Sequence, residues 1–372
     1  MVRGKPLPYA TRIDGPGPAG ARARTGGAVP RRRAGALALL LLAIPVAGAI
    51  DSDTPQPAVL APLAARSLLL GVTTLADGHV VAVGERGHVL VSDDAGHSWR
   101  QSPVPVSSTL TAVYFADALH GWAVGHDETI LRTDNGGRRW QLSHFAPTRQ
   151  QPLLGVWFDA AGHGLAVGAF ATVYRSADGG RSWQPAGFNP QPLPGTRVAA
   201  KRPAADPMAD DEGIAQPHLN AIAADDRGRV YVAGEAGHLY RSDDGGGHWS
   251  VLPAPYAGSF FGLLPLGGDA LLAFGLRGHL LRSADAGRSW ANIETGTEAL
   301  LAAGTRLADG TVVVVGLAGV VLVSHDEGRS FVLLQQANRK GLDAVAPVPG
   351  GVVIAGDGGV KALALPARAP GG

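Results

Sequence analysis

The sequence predicts an all-β protein, a seven-bladed β-propeller of four-stranded antiparallel blades, closed by an N-terminal strand in the last blade. Three observations carry the prediction. An eight-residue turn pattern, S/T-x-D/N-x-G-x-x-W/F, occurs six times, beginning at Ser92, Thr133, Ser176, Ser242, Ser283 and Ser324. Successive beginnings lie 41, 43, 66, 41 and 41 residues apart, so the period is nearly constant apart from one interval lengthened by 25. Each interval holds short Val-, Ile- and Leu-rich runs bounded by Gly and Asp, four to a repeat, which is the content and length of one propeller blade.

The chain of 372 residues begins with a leader of different character. Residues 1–33 hold eight basic residues and one acid, and residues 34–49 hold no charge. The apolar run Ala34 to Ile44 is followed by Pro45 and by Ala47-Gly48-Ala49. A basic segment, a short apolar run and small residues at a cleavage position form the pattern of an export signal. Residues 1–49 are expected to be a disordered leader with a signal peptide or anchor, and residues 50–372 the propeller. The expected location is exported, periplasmic or membrane-associated. The formal charge of +1 conceals a net −6 in the body, which lacks the basic face that nucleic-acid binding requires. With no Cys in the chain, disulfides, thiolate metal sites and a cysteine nucleophile are excluded.

The blades follow in order. They are expected to start near Leu68, Leu110, Leu153, Leu219, Phe260, Leu300 and Leu342. In the second, the strands read as Leu110 to Phe115, Gly121 to Gly125, Thr129 to Thr133 and Trp140 to Ser143. The seventh offers Gly351 to Gly356 and Val360 to Leu365, but no turn pattern and no fourth strand before Gly372. The residues before Leu68, including Pro57-Ala58-Val59-Leu60-Ala61, are expected to supply that missing outer strand and remove the open edge.

The recurring turn explains its own residue types. Asp94, Asn135, Asp178, Asp244, Asp285 and Asp326 can accept hydrogen bonds from turn N–H groups, and the glycine two residues on permits positive φ. Trp99, Trp140, Trp183, Trp249, Trp290 and Phe331 can pack a ring on a neighbouring sheet. Six copies read as six structural staples, so no catalytic residue is assigned among them. The pattern resembles the Asp-box, or bacterial neuraminidase repeat, over about residues 68–365.

Strands alternate in direction, so the turns between second and third strands share a face with the blade-to-blade connections, opposite the Asp-boxes. These tips include Glu85-Arg86-Gly87 and Leu276-Arg277-Gly278. The insertion, about residues 185–218, is a connection on the same face and carries Arg197, Lys201 and Arg202 before four acids. Arg86, Arg277, Arg197, Lys201 and Arg202 are the candidate binding residues. His88, His238 and His279 share one column after the tip, but no H-x-x-H spacing exists, so no metal is expected.

The fuller repeat, as in Val81-Ala82-Val83-Gly84 through Trp99 and Val232-Ala233-Gly234 through Trp249, resembles the photosystem II stability/assembly factor family of cyanobacteria and chloroplasts and its relatives in non-photosynthetic bacteria. That resemblance implies a non-enzymatic, chaperone-like factor using an arginine-rich face to engage a membrane-protein partner, without cofactor. The expected partner is a membrane protein or envelope complex, and the expected state a monomer. The alternative is a sialidase-like glycoside hydrolase, because Asp-boxes occur there. It would need an arginine triad and a tyrosine activated by a glutamate. Tyr114, Tyr174, Tyr231, Tyr240 and Tyr256 show no such setting in the sequence, and no carboxylate pair stands out. An extracellular ligand-binding propeller, similar to sortilin-type receptors, is a third reading.

Overall fold

A computed structural model describes residues 54–194 and 216–366. Its strands form seven sheets, antiparallel meanders ordered from the axis outward except for one short parallel strand added at the outer edge of the fourth. The innermost strands are Leu69–Thr74, Leu110–Phe115, Leu153–Phe158, Leu219–Ala224, Phe260–Gly267, Leu301–Arg306 and Leu342–Val348. Five of the seven expected starts match to the residue, and the first and sixth fall one residue later.

Second strands such as Val80–Gly84 and Val312–Gly316 are buried along their whole length, which is why they read as continuous apolar runs rather than alternating ones. The core is divided among the blade interfaces. Val83 of blade one packs in a cluster with Leu110 and Trp140 of blade two, and Phe274 of blade five with Leu301 and Val314 of blade six. The Asp-box glycines tighten these interfaces. Gly180 has φ +76°, and a Cβ there would stand 2.1 Å from Trp122 Nε1 of the preceding blade.

The ring closes differently from the expectation. The last sheet has three strands, Leu342–Val348, Gly351–Gly356 and Gly359–Ala364, and no strand is formed by residues 54–68. Pro55, Pro57 and Pro62 each remove a donor from the ladder, which weakens this segment as a strand. It instead bonds to blade one: Ala58 N–H donates to Val104 O at 3.0 Å, and Gln101 exchanges bonds with Ala61 N–H and Val59 O. Its 3₁₀ turn, Ala64–Arg66, then reaches the third strand of blade seven, where Ala65 O would lie 2.1 Å from a Cβ on Gly359. Closure itself is face packing. Leu69, Ala82 and Leu90 of blade one meet Ala344 and Ala355 of blade seven, and Thr74 Oγ1 donates to Pro347 O at 2.6 Å.

The insertion begins on the outer rim. After the short outer strand Gln184–Pro185 of blade three, Gln191–Pro192 pairs parallel to Ser250–Leu252 and adds a fifth strand to blade four. Phe188 sits edge-on to Tyr240 with centroids 4.9 Å apart. No helix among the described residues is long and apolar enough to cross a membrane.

Candidate binding face and channel mouth

One contact recurs in every blade and builds the face. The first residue of each tip donates its N–H to the carbonyl just before the innermost strand: Glu85 to Leu68, His126 to Thr109, Ala169 to Pro152, Glu235 to His218, Leu276 to Ser259, Leu317 to Leu300 and Asp357 to Gly341, all at 2.9–3.1 Å. Tips and innermost-strand beginnings therefore share one face. The residue preceding each tip is glycine because of the same approach. A Cβ on Gly84 would lie 2.2 Å from Leu68 O, and one on Gly168 2.2 Å from Pro152 O. The φ of Gly84 is extended, so sterics rather than conformational freedom select glycine here.

Beneath this contact each innermost strand bulges at its second residue, and that of blade five shifts register again between Pro265 and Gly267. In blade two, Leu110 pairs with Gly125 and Ala112 with Val124, leaving Thr111 without a partner. The same skip occurs at Leu70, Leu154, Asn220, Phe261, Ala302 and Asp343. A bulge re-aims a side chain, and all seven bulged residues line the cavity of about 650 Å³ on the central axis. Further along the channel the wall is apolar, with Val72, Val113, Val156 and Ile222.

The ring's polar members have different employment. Thr111 Oγ1 donates to Leu153 O at 2.6 Å and Asn220 Nδ2 to Phe260 O at 2.9 Å, each tying its blade to the next. Asp343 is the one charged residue lining the cavity, and no hydrogen bond or ion pair reaches it among the described residues. Burial, and then the nearby Asp357, push its carboxyl up to about 6.

The tips carry the sequence-predicted binding residues Arg86 and Arg277. Both are exposed at the left-handed position of their turns, with φ 56° and 55°, in blades one and five. Phe170 and Ala318 hold the same position in blades three and six, with φ 53° and 57°. Phe170 is 50% and Leu317 41% exposed, so the face is mixed apolar and basic. Arg197, Lys201 and Arg202 lie outside the described residues. The histidine column is structural in its setting. His88 is buried, which lowers its pKa, and His279 stacks on Tyr256 at 3.8 Å. Among the described residues no group of three or more His, Cys, Asp or Glu could hold a metal ion.

The Asp-boxes occupy the turns between third and fourth strands. In blade three, Asp178 Oδ1 accepts from Ser182 N–H at 3.0 Å and from Ser176 Oγ at 2.9 Å, while Ser182 Oγ donates to Asp178 Oδ2. The Ser182 hydroxyl and N–H hold the Asp178 carboxyl down to about 2. Asn135 makes the same bonds without charge, from Thr133 Oγ1 at 3.0 Å and Arg139 N–H at 2.9 Å. The buried donor of the box, Gly180 N–H, goes to Ser176 Oγ at 2.8 Å.

A tyrosine does have a glutamate and an arginine beside it. Tyr174 Oη donates to Glu128 Oε2 at 2.6 Å, and Arg149 lies 3.1 Å from the same hydroxyl. Glu128 belongs to blade two and Tyr174 to blade three, 46 residues apart, so the pairing is invisible to local motif reading. Tyr174 is 2% exposed, and burial with the Glu128 bond pushes its pKa up to about 12. The phenol stays protonated at neutral pH and joins two blades.

Seven blades and six Asp-box turns define an Asp-box β-propeller. Within that class the chain resembles the photosystem II assembly factors. A family model described as "Photosynthesis system II assembly factor YCF48" matches residues 91–214. The "Photosystem II stability/assembly factor HCF136, chloroplastic" of Guillardia theta is 43% identical over 51 residues, and the match spans only 13% of this chain and 13% of that relative. Among solved structures, "YCF48 bound to D1 peptide" superposes with a TM-score of 0.61 at 16% identity, covering 86% of this chain and 99% of that one. YCF48 from Cyanidioschyzon merolae gives 0.60 at 15%, covering 82% and 98%. A streptogramin B lyase gives 0.61 at 13%, covering 81% and 94%. At such identities the likeness is one of fold.

Proposed function

We propose that this propeller is a non-catalytic exported factor that assists the assembly or stability of a membrane protein complex, holding a segment of its partner on the tip face. The observation that carries the reading is the sevenfold-pinned face itself, which presents Arg86, Phe170, Arg277 and Leu317 to solvent on a scaffold fixed by hydrogen bonds beneath each tip. A YCF48 structure of the same fold was solved with a D1 peptide, which supports a membrane-protein segment as the ligand class. Because the body is net −6, exposed arginines on one face would select an acidic segment, with a collective and salt-sensitive effect. A sialidase-like reading would require Tyr174 to meet substrate, and its burial opposes that.

The test is capture of envelope membrane proteins from the native host across a salt series. Joint Arg86→Ala and Arg277→Ala replacement should release partners at lower salt than wild type. A second variant, with Arg197, Lys201 and Arg202 all changed to Ala, asks whether the insertion contributes. If both variants recover the same partners at the same salt as wild type, the basic tip-face reading fails.

A further inference from the structure

We propose that the mouth of the central channel is a binding site for a protonated amine carried on an apolar stem, with the ammonium at Asp343 and the stem along the channel wall. Four observations place it. The cavity of about 650 Å³ is of the size that takes small ligands or an inserted side chain. Its rim is made by bulges, the backbone device that turns side chains out of a ladder and toward a site. Two of the neutral polar rim groups, Thr111 and Asn220, spend a donor on a neighbouring blade. Asp343 bonds to nothing among the described residues.

A carboxylate without a cation, half-buried on the wall of a largely apolar and otherwise uncharged cavity, is unfavourable in the empty protein. A ligand ammonium would relieve that penalty, and an alkyl stem would cover Val72, Val113 and Val156. An anion would meet Asp343 and Asp357 together and be repelled. A neutral stem would gain the wall contacts alone. The groups on the adjoining turn are Asp357, whose Oδ2 already accepts Gly341 N–H at 3.1 Å, and the exposed Lys340, whose Cδ would lie 3.1 Å from a Cβ on Gly358. The ammonium can come from a free small amine or from a lysine of an inserted peptide.

The site does not depend on the tip arginines, and the experiment separates the two. Calorimetric titrations of the full chain near neutral pH would compare hexylammonium, hexanoate and hexanol. Hexylammonium should bind at least tenfold more tightly than either of the others, with one site per chain. D343N should reduce it to the level of hexanol, D343E should retain part of it, and the Arg86/Arg277 double variant should leave it unchanged. If D343N melts early, A302K serves instead, since it sets an internal ammonium on the same rim and should abolish binding. A blocked Gly-Gly-Lys-Gly-Gly peptide, against its norleucine counterpart, assigns the source: selective binding of the lysine peptide indicates an inserted side chain, and binding of hexylammonium alone indicates a small amine. Equal binding of hexanol and hexylammonium, undiminished binding by D343N, or no binding of either amine overturns the proposal.

Discussion

At the scale of single residues, two carboxylate environments pull stability in opposite directions with pH. Asp343 is raised from 3.8 to about 6, so the folded protein keeps a proton that the unfolded chain has already lost. Its contribution is therefore favourable below about pH 4 and is lost as the pH rises through 6. D343N should raise the melting temperature near pH 7.5, by about 1 kcal/mol of stability once solvent screening of this half-buried group is allowed for, and should change little near pH 3.5. The Asp-box acids behave conversely. Asp94, Asp178, Asp244 and Asp326 are held down to about 2, so their stabilisation is present above 3.8 and is lost as the pH falls toward 2. A melting series from pH 5 to 2 should fall steeply, and Asn135→Asp should steepen it. Within one box, Ser176→Ala leaves the buried Gly180 N–H without an acceptor and should cost about 1–3 kcal/mol. Asp178→Ala exposes donors that water can reach and should cost about 1 kcal/mol, whereas Trp183→Ala, at a 9% exposed ring, should cost roughly 3–5 kcal/mol. Denaturant unfolding of the three variants checks that order. The motif drew attention to the acid. The geometry gives the buried work to the serine, and spacing alone could not show which N–H is buried.

At the scale of elements, blade starts were legible because each apolar run follows a turn with unambiguous Gly and Asp chemistry. The bulges were not. Leu110-Thr111-Ala112-Val113 reads as one unbroken strand, and only the partner strand's register reveals that Thr111 is skipped. The cause was nevertheless visible as a glycine ending every second strand. Gly168→Ala should destabilise by about 1–3 kcal/mol although its backbone is extended, because the added methyl meets Pro152 O at 2.2 Å. Gly78→Ala offers the contrast: it has open space but φ +89°, so its cost is conformational. Equal melting temperatures for Gly168→Ala and wild type would refute the steric account. The outer-rim strand Gln191–Pro192 was also illegible, since two residues containing a proline carry no strand signal.

At the scale of the whole molecule, the blade count followed from period and length, and the closure did not. Three prolines in residues 55–62 weigh against the apparent need for a fourth strand in blade seven, and that blade keeps three. Deleting residues 54–61 should therefore leave a closed ring, with a melting temperature lower by a few degrees for the lost bonds to Val104 and Gln101. Small-angle scattering should give an unchanged ring profile. An opened or aggregated particle would show that the segment closes the ring after all. The candidate site divides in the same way. Tip arginines can be read from a column of turns, whereas Asp343 becomes a channel residue only when seven blades converge on one axis.

The seam between blades one and seven also sets a schedule for synthesis. Thr74 bonds to Pro347 across 273 residues, and the alanines that meet Leu69 and Ala82 are Ala344 and Ala355. A chain emerging from the ribosome or an export channel cannot make these contacts until its last blade is out. Until then blade one waits with an apolar face uncovered, exposed to misassociation for nearly the whole of translation. The final step joins blade one to blade seven through this packing and the bond from Thr74 to Pro347. The last event in making the ring is thus the joining of its first blade to its last, and a chain truncated in blade seven would keep most of its blades while losing both its circle and the carboxylate at its mouth.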